Sequence, residues 1–335
     1  MLIFRTDVAF SQWQIINSGV TDNLVDGCFI SDSTGFIIGS NGTILKTTDS
    51  GNSWSVNAIV SGLFTSICHV GLDTLYVGGN CIYRSDNGGI SWNLITTLPD
   101  TITDLGFFDS QTGFSIVPDY NICTSFGGTY EYDDFKVFKT TNFGSSWQLD
   151  FDKIESNSRF QFINDSTAYV TGGEISIVFH CLGPWQNRSK RTNDSGNTWF
   201  PVAQANFGHS YFSFINENIG YFVLPGPVFT IDKTVDGGNT LTQYYTEIYD
   251  NTIKQCKFFN EIDGYLLGRN NIYVTGSNGL SWNSDFVTAN TFNILFSNTT
   301  NLLFGVGSNG LIIKRKLFQA HILILFIESN LIMIP

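Results

Sequence analysis

The 335-residue chain has few charged residues, and few of those are cations. Charged residues make up 14% of the sequence, and 17 Lys and Arg stand against 29 Asp and Glu, which gives a formal net charge of −12. Because phosphate binding depends on clustered Lys and Arg, this balance argues against a nucleic-acid partner. The apolar segment at 321–327 is far shorter than the about 20 residues that a membrane-spanning helix needs. The sequence therefore predicts neither a nucleic-acid ligand nor a membrane span.

The sequence also lacks the residue patterns of metal sites and of common catalytic centres. Its six cysteines and four histidines show no CxxC, HExxH or mixed Cys/His spacing. No phosphate-binding loop, dinucleotide fingerprint or GxSxG motif occurs in the strand and helix context that it requires. We therefore predict no catalytic residue, no metal and no cofactor. The cysteines are interpreted as small core residues, since a core of this size does not need disulfides.

What the chain does contain is an eight-residue phrase that recurs at a period of roughly 40 to 50 residues. The clear copies are TTDSGNSW at 47–54, SDNGGISW at 85–92, TTNFGSSW at 140–147 and TNDSGNTW at 192–199, and the weaker ones are TVDGGNTL at 234–241 and TGSNGLSW at 275–282. Such a period indicates a repeat architecture in which each unit buries its apolar face against its neighbours. The 33 Gly and the 15% aromatic residues are typical of many short strands joined by tight turns.

The chemistry of the phrase predicts a turn between two strands. In the first copy Asp49 can accept hydrogen bonds from N–H groups of its own turn, Gly51 can adopt a positive φ, and Ser53 can bridge locally. Trp54 then covers the strand edge and helps to seat one unit on the next. Asn can make the same turn, whereas the Ser and Leu that replace Asp and Trp in the weaker copies predict looser turns. The residues assigned this structural role are Asp49, Gly51, Trp54, Asn87, Gly89, Trp92, Asn142, Gly144, Trp147, Asp194, Gly196, Trp199, Asp236, Gly238, Gly279 and Trp282.

Each repeat unit has the length and pattern of four strands. A unit opens with an apolar strand and a polar turn, adds a second and a third strand, and ends with the Asp turn and a fourth strand that begins at the Trp. Four strands per unit indicate the blade of an all-β propeller. Six full units extend from about residue 24 to 286, and three further strands follow up to residue 315.

The incomplete seventh unit can be completed from the other end of the chain. Thr6 and Asp7 resemble the missing turn, and Trp13–Ile16 resembles the missing fourth strand. We therefore predict a seven-bladed β-propeller of four-stranded blades, closed by the N-terminal strand, which removes exposed sheet edges. The propeller forms one domain over 1–315, and 316–335 is an unmatched apolar tail.

Two consecutive units carry long insertions between their second and third strands, at 117–135 and 172–190. In a propeller this connection lies on the face opposite the Asp turns, so both insertions should rise side by side. Neighbouring long loops on a rigid scaffold are where binding residues usually lie. The residues predicted to bind a ligand are Tyr120, Tyr130, Tyr132, Asp133, Asp134, Trp185, Arg188 and Arg191. The alternative is that the two insertions, one acidic and one basic, neutralise and cover one another.

The phrase Ser/Thr-x-Asp-x-Gly-x-Ser/Thr-Trp, clearest at 47–54 and 192–199, resembles the Asp-box or bacterial neuraminidase repeat. This repeat is shared by sialidases, oligoxyloglucan-cleaving glycoside hydrolases, sortilin-type receptors and the photosystem II assembly factor family. Segment 34–54 looks most like the last of these, whose repeats place Gly-aromatic, Gly-x-Gly and Thr-x-Asp-x-Gly in that order. The resemblance covers most of 1–315 and implies a propeller, a fold that hosts many functions.

The enzymes among these families imply chemistry that the sequence does not match. Resemblance to sialidases implies an arginine triad around the central channel and a Tyr nucleophile, whereas the seven Arg of this chain do not recur on the innermost strand of several blades. Resemblance to xyloglucan hydrolases implies two facing Asp in a cleft between two propellers, and this chain forms one. Both departures favour a protein without catalytic activity.

We therefore expect a non-enzymatic binding scaffold, secreted or exposed at the cell surface, that binds a protein or a carbohydrate through the face with the two insertions. The alternative is a divergent glycoside hydrolase, sialidase-like or xyloglucanase-like, and a third hypothesis is a structural repeat module of a larger precursor. The segment 1–13 is too short and too charged for a complete signal peptide, although Ala9–Gln12 resembles the cleavage region of secreted bacterial proteins. We expect an extracellular, cell-surface or periplasmic location and a monomer.

Overall fold

The described part of the chain forms seven four-stranded antiparallel sheets and one short 3-10 turn at Ser308–Gly310. The computed structural model describes residues 12–98, 100–125, 128–154, 159–171, 189–202, 211–224, 229–246, 248, 250–298 and 300–317. In six sheets the strands follow chain order, and in the last one the N-terminal strand joins the three C-terminal strands. The chain is therefore a seven-bladed β-propeller closed by its N-terminal strand, as the repeated phrase predicts.

The strands are numbered in chain order, and β1 is Gln14–Ile16. Blades 1 to 3 contain β2 Leu24–Phe29, β3 Gly35–Gly39, β4 Thr43–Thr47, β5 Ser55–Ile59; β6 Phe64–Val70, β7 Thr74–Gly79, β8 Cys81–Ser85, β9 Asn93–Thr97; and β10 Asp104–Phe107, β11 Gly113–Ser125, β12 Gly128–Thr140, β13 Gln148–Ile154. Blades 4 and 5 contain β14 Arg159–Phe162, β15 Ala168–Thr171, β16 Lys190–Thr192, β17 Phe200–Pro201; and β18 Tyr211–Phe214, β19 Gly220–Leu224, β20 Thr230–Thr234, β21 Thr242–Tyr245. Blades 6 and 7 contain β22 Gln255–Phe258, β23 Gly264–Leu267, β24 Asn271–Thr275, β25 Asn283–Val287; and β26 Phe292–Ser297, β27 Leu302–Gly307, β28 Ile312–Lys316, together with β1.

The second strand of a blade is the most deeply buried, and the fourth is the most exposed. All five residues of β3 are buried, including the consecutive Phe36, Ile37 and Ile38. A continuous apolar run of this kind suits a strand that is covered on both faces, here by the two neighbouring blades. The outer strand β5 has no buried residue. Apolar burial therefore lies between the blades, and each blade depends on its neighbours for its core.

Aromatic rings on the second strands form much of the contact between adjacent blades. Tyr76 of blade 2 stacks on Phe107 of blade 3 with centroids 3.9 Å apart, and Tyr221 of blade 5 stacks on Phe258 of blade 6 at 3.7 Å. The Tyr76 hydroxyl donates to the backbone oxygen of Ser110 at 2.8 Å. Each such ring therefore contributes apolar contact and one hydrogen bond to the first turn of the next blade.

The ring closes through pairing of the two ends of the described chain. β1 is antiparallel to β28, with Gln14 opposite Lys314 and Ile16 opposite Ile312. Trp13, which precedes β1, is buried, and its indole Nε1 donates to Asp285 Oδ2 at 2.7 Å. The predicted turn at residues 6 and 7 and most of the predicted tail lie outside the described residues. The fourth strand of blade 7 is thus supplied by the segment that the sequence predicts.

Candidate functional site

The repeated turn folds around a single carboxylate. Asp49 Oδ1 accepts hydrogen bonds from the backbone N–H groups of Asn52 (2.9 Å) and Ser53 (3.0 Å), and Oδ2 accepts one from the Ser53 hydroxyl (2.6 Å). The Thr47 hydroxyl donates to Asp49 (2.7 Å) and accepts the N–H of Gly51 (3.0 Å), whose φ is 71°. Burial raises the pKa of Asp49, but these hydrogen bonds outweigh it and lower the pKa to about 2. The turn is therefore structural, with its carboxylate fully engaged.

Other side chains take the place of Asp or Trp in several copies of the turn. Asn142 Oδ1 accepts the N–H of Ser146 (3.0 Å) while its amide donates to the Ser146 hydroxyl (2.8 Å). Ser277 accepts the N–H of Ser281 at 3.0 Å. In blade 5, where Leu241 replaces the Trp, the turn carboxylate keeps bonds of 2.9 and 2.7 Å because the Trp position lies outside this network. The looser turn predicted for blade 5 does not show in these hydrogen bonds. In blade 6 the contact between the Thr275 and Ser277 hydroxyls is 3.3 Å, longer than the 2.7 Å bond from Thr47 to Asp49, as the prediction for that blade requires.

A basic side chain just before the turn of one blade reaches the turn of the next blade. We call these residues the latch cations. Each donates a hydrogen bond to a backbone oxygen: Lys46 to Gly88 O (2.8 Å), Lys139 to Gly196 O (2.8 Å), Arg191 to Gly237 O (2.7 Å) and Lys314 to Ser50 O (3.1 Å). Sequence reasoning missed them, although a Lys or Arg directly before the first Thr of the phrase was a visible signal. Arg191 also donates to Asn239 Oδ1 at 2.9 Å, on the Asp-turn side of the ring. Ligand binding by Arg191 stays a prediction.

The insertion of blade 3 is a two-stranded ribbon that continues the sheet. β11 and β12 pair in unbroken register from Gly113 opposite Thr140 to Ser125 opposite Gly128. The inner neighbour β10 pairs with β11 no further than Ile116, and the outer neighbour β13 pairs with β12 no further than Phe135. Beyond them the ribbon of residues 119–125 and 128–134 runs for roughly 20 Å at the usual rise per residue. We call this segment the blade-3 ribbon.

Five of the residues predicted to bind a ligand lie in the blade-3 ribbon. Tyr120 is opposite Asp133 in the register, and Asp119 is opposite Asp134. The other two, which lie on β12, are Tyr130 and Tyr132. The ribbon leaves its blade at the end opposite the Asp turn, because it joins the second strand to the third, whereas the Asp turn joins the third to the fourth.

An ion pair lies at the base of the blade-3 ribbon. Lys136 Nζ lies 2.8 Å from Asp119 Oδ2, which ties the two ribbon strands together where they leave the sheet.

Most of the blade-4 insertion lies outside the described residues. Trp185 and Arg188, predicted to bind a ligand from this insertion, are among the residues outside the described structure. Their assignment to the same face therefore stays a prediction.

The first strands of all seven blades surround a central channel with a cavity of about 390 Å³. Polar side chains in this channel link each described first strand to the next blade. The links are Asp26 to Ile67 N (2.9 Å), Ser66 to Asp104 Oδ1 (3.0 Å), Asp104 to Phe160 N (2.7 Å), Gln161 to Phe214 N (2.8 Å), Ser213 to Phe258 N (2.9 Å), Gln255 to Leu295 N (2.6 Å) and Asn293 to Leu24 O (2.7 Å). We call these residues the channel links, and they satisfy polar groups that the narrow centre of the ring would otherwise leave buried and unpaired.

Charged groups of both signs line the channel. Burial raises the pKa of Asp26 to about 6, against the opposing effects of the Arg159 charge and of backbone N–H donors. Arg159 NH1 lies 3.6 Å from Asp104 Oδ1. Burial lowers the pKa of Lys254 to about 8, and the charges of Arg269 and Arg159 lower it further. Burial and neighbouring positive charge therefore both act against the protonated form of Lys254 in the channel.

The described residues show no constellation that matches a hydrolase or a metal site. The turn carboxylates, such as Asp49 and Asp194, lie one to a blade and are held by their own turns. In the channel both Asp26 and Asp104 accept backbone N–H bonds from a neighbouring blade. No group of three His, Cys, Asp or Glu in the described part of the chain could hold a metal ion.

The family model of the photosynthesis system II assembly factor YCF48 matches residues 6–100. The solved structure of YCF48 bound to D1 peptide is similar, with a TM-score of 0.66 and 15% identity over 93% of this chain and 99% of that chain. YCF48 from Cyanidioschyzon merolae gives a TM-score of 0.66 and 16% identity over 91% of this chain and 99% of that one. The chain is an Asp-box β-propeller. Its repeats are most like those of the photosystem II assembly factor family.

Glycoside hydrolases of family GH74 share the fold with this Asp-box propeller but are longer proteins. The xyloglucanase from Xanthomonas campestris has a TM-score of 0.60 and 12% identity, over 92% of this chain and 54% of the enzyme. An ancestral GH74 enzyme has a TM-score of 0.63 and 14% identity, over 90% of this chain and 46% of the enzyme. No curated protein matches the sequence. None of the helical segments in the described residues is long and apolar enough to cross a membrane.

Proposed function

We propose that this Asp-box propeller is a non-enzymatic scaffold that binds a segment of another protein through the face carrying the blade-3 and blade-4 insertions. The observation that carries the proposal is the blade-3 ribbon, which extends a rigid sheet by roughly 20 Å beyond the rest of its blade. Support for a protein ligand comes from YCF48, which shares the fold and was solved bound to D1 peptide. Binding elements of this kind usually project from a rigid scaffold.

The ribbon offers backbone groups as well as side chains for recognition. Within the described residues no strand pairs with β11 beyond Ile116 on the inner side or with β12 beyond Phe135 on the outer side. The N–H and C=O groups along such an edge can pair with an extended peptide, which joins as an added strand. The Tyr residues at 120, 130 and 132 supply aromatic groups of the type enriched at protein interfaces. The proposed ligand is therefore an extended segment of a protein.

The hydrogen bonds of the channel carboxylates favour a scaffold without catalysis over a glycoside hydrolase. Glycoside hydrolysis needs two carboxyl groups roughly 5 to 10 Å apart with access to the substrate. The described candidates in the channel, Asp26 and Asp104, are occupied in links between blades. Asp133 and Asp134 are adjacent positions on one strand, β12. Carbohydrate binding, export of the chain and a monomeric state stay predictions.

The test is selection of peptide ligands from a displayed random-peptide library, followed by affinity measurement with fluorescent peptides. The site variant replaces Tyr130, Tyr132 and Trp185 by Ala. We expect it to lose at least tenfold in affinity for the selected peptides while its circular dichroism and its melting temperature stay close to those of the wild type. A glycan array on the same protein tests the carbohydrate alternative.

A matched control removes apolar side chains from the Asp-turn face. Leu72, Ile90 and Leu280 are exposed by 65%, 78% and 53% and belong to the turns on that side. Replacing these three by Ala should leave peptide affinity unchanged. Equal losses in both triple variants, or none in the site variant, would refute the assignment of the binding face. Selection of no peptide together with strong glycan binding would refute a protein ligand.

A further inference from the structure

Cations in the described structure fall into two groups. Those outside the channel are engaged by neighbouring blades, by carboxylates or by aromatic rings, as the latch cations, the Lys136 pair with Asp119 and the Lys233 pair with Glu261 illustrate. The second group comprises Arg159, Lys254 and Lys257, which line the channel cavity. The charge of Arg269, an exposed residue that does not line the cavity, also acts on Lys254. In a chain of net charge −12, this cluster is a local excess of positive charge.

The acidic groups of the channel do not neutralise the cluster in full. Asp26 directs its oxygens to the backbone N–H groups of Gly27 and Ile67, at 2.8 and 2.9 Å. Asp104 accepts from the Ser66 hydroxyl and from the N–H of Phe160. The cavity lining therefore contains two carboxylates and three cations. The hydrogen bonds of both carboxylates point along the ring from blade to blade. Asp104 Oδ1 also lies 3.6 Å from Arg159 NH1, so Arg159 is partly balanced, whereas no ion pair is formed by Lys254 with either of these carboxylates.

Crowding of cations in a partly enclosed cavity costs free energy that a bound anion can recover. Lys254 is half-buried, and its ammonium donates a hydrogen bond to the backbone oxygen of Phe292. Burial disfavours its protonated form most, and the charges of Arg269 and Arg159 add to this effect and lower its pKa further. An anion placed between Arg159 and Lys254 would remove this repulsion and would gain charge-assisted hydrogen bonds from both. Low-dielectric walls strengthen such an interaction relative to one at an open surface.

We propose that the central channel binds a compact anion, with carboxylate or phosphate oxygens held between Arg159 of blade 4 and Lys254 of blade 6. The cavity of about 390 Å³ has the size of a small-molecule site. Its wall also contains Ser213, whose hydroxyl oxygen accepts the N–H of Phe258, so that its own O–H is a further donor. This site is separate from the peptide-binding ribbon of the proposed function and does not depend on it.

The experiment is isothermal titration calorimetry of the full chain with citrate, inorganic phosphate and, as an uncharged probe, glycerol, at low and at high salt. We expect saturable binding of citrate or phosphate with a one-to-one ratio, weakened at high salt, and none of glycerol. Citrate and phosphate titrated separately distinguish a carboxylate ligand from a phosphate ligand. The substitution Lys254→Met should weaken binding at least tenfold.

The control is a second Lys→Met variant of this chain, at a lysine outside the channel. Lys233→Met removes an equal charge from an ion pair on the Asp-turn side and should leave anion affinity within twofold of the wild type. Arg159→Gln is a second site variant, checked by circular dichroism because Arg159 lies near Asp104. Absence of saturable binding of either anion by the wild type overturns the proposal, as does equal affinity in folded Lys254→Met and Lys233→Met proteins.

Discussion

The ammonium of Lys139 in blade 3 donates a 2.8 Å hydrogen bond to the backbone oxygen of Gly196, 57 residues later in the turn of blade 4. Its second acceptor is Asn197 Oδ1, at 3.2 Å. The same ammonium lies 5.6 Å from the centroid of the Phe114 ring. The Lys139 side chain thus joins the third strand of blade 3 to the turn of blade 4 and helps to fix the position of one sheet relative to the other.

Replacing this latch should weaken the ring without harming either blade alone. Lys139→Met keeps the apolar stem near Phe114 but removes the bonds to Gly196, so we expect the free energy of unfolding to fall by about 1–2 kcal/mol. Lys139→Arg should restore most of it, because Arg191 makes the equivalent contact in blade 4. Urea unfolding followed by circular dichroism measures both. Equal midpoints for the Met variant and the wild type would show that the latch contributes no stability.

The turn glycine of blade 2 should tolerate no side chain. Gly89 has φ 77°, and a Cβ there would lie 2.4 Å from a ring carbon of Phe36 in blade 1. Gly89→Ala should therefore destabilise by about 3 kcal/mol or more, from backbone strain and overpacking together. Gly71→Ala is the control, since φ is 64° there with nothing within 4 Å, and should cost about 1 kcal/mol. Similar melting temperatures for the two variants would contradict the packing argument.

Acid should weaken the turns that contain Asp. The hydrogen bonds from Thr198 and Thr192 lower the pKa of Asp194 to about 2, and the pKa of Asp49 is also about 2. Because both lie below the unfolded value of about 3.9, the turns contribute stability above pH 4 that is lost as pH falls towards 2. Both carboxylates are largely exposed, so the contribution of each is small.

The Asn turns of the same chain provide the control for this acid effect. Asn87 donates from its amide to the Ser91 hydroxyl at 2.9 Å and does not titrate. The double variant Asp49→Asn, Asp194→Asn should therefore unfold with a shallower dependence on pH between 4 and 2 than the wild type. Denaturant titrations at a series of pH values measure the slopes. Identical slopes would mean that these two carboxylates do not control acid stability.

Closure of the ring should depend on the buried residue that precedes β1. Trp13 is buried and bonded to Asp285, and Trp13→Ala should lower the free energy of unfolding by about 3–5 kcal/mol. Ile15→Ala, two residues along and with 72% of its side chain exposed, should cost less than about 0.5 kcal/mol. Thermal unfolding of both proteins tests the difference. A small effect at Trp13 would show that its buried ring does not contribute to closure of the ring of blades.

The fold could be predicted from the sequence because its signals are local. The bonds of the Asp turn join residues no more than four positions apart, such as Asp49 and Ser53, so each copy carries its whole pattern in eight letters. The closing strand at Trp13–Ile16 was predictable because it supplied what the seventh unit lacked. The latch cations also have a local signal, because a basic residue stands directly before several copies of the phrase.

The channel could not be predicted, because its contacts are between blades and its residue types do not repeat. Gln161 bonds to Phe214, 53 residues away, and the equivalent role in blade 1 is taken by Asp26. Because equivalent positions in the blades carry different residue types, a single sequence shows no repeated pattern for the channel links. The blade-3 insertion was predicted in place and length, but described as a loop. Continuation of its two strands depends on cross-strand pairing that sequence spacing does not show.

The pairing of Gln14 with Lys314 has a consequence for how the molecule is made. Joining positions about 300 residues apart costs roughly 5 kcal/mol of chain entropy by logarithmic loop scaling, and this is recovered only when the whole circle is complete. On a ribosome that adds about 5 to 20 residues per second, β1 waits on the order of 15 to 60 s for its partner strand. Throughout that interval the end blades of the nascent chain have apolar faces that no neighbouring blade covers, and the last strand to emerge completes blade 7 and closes the ring.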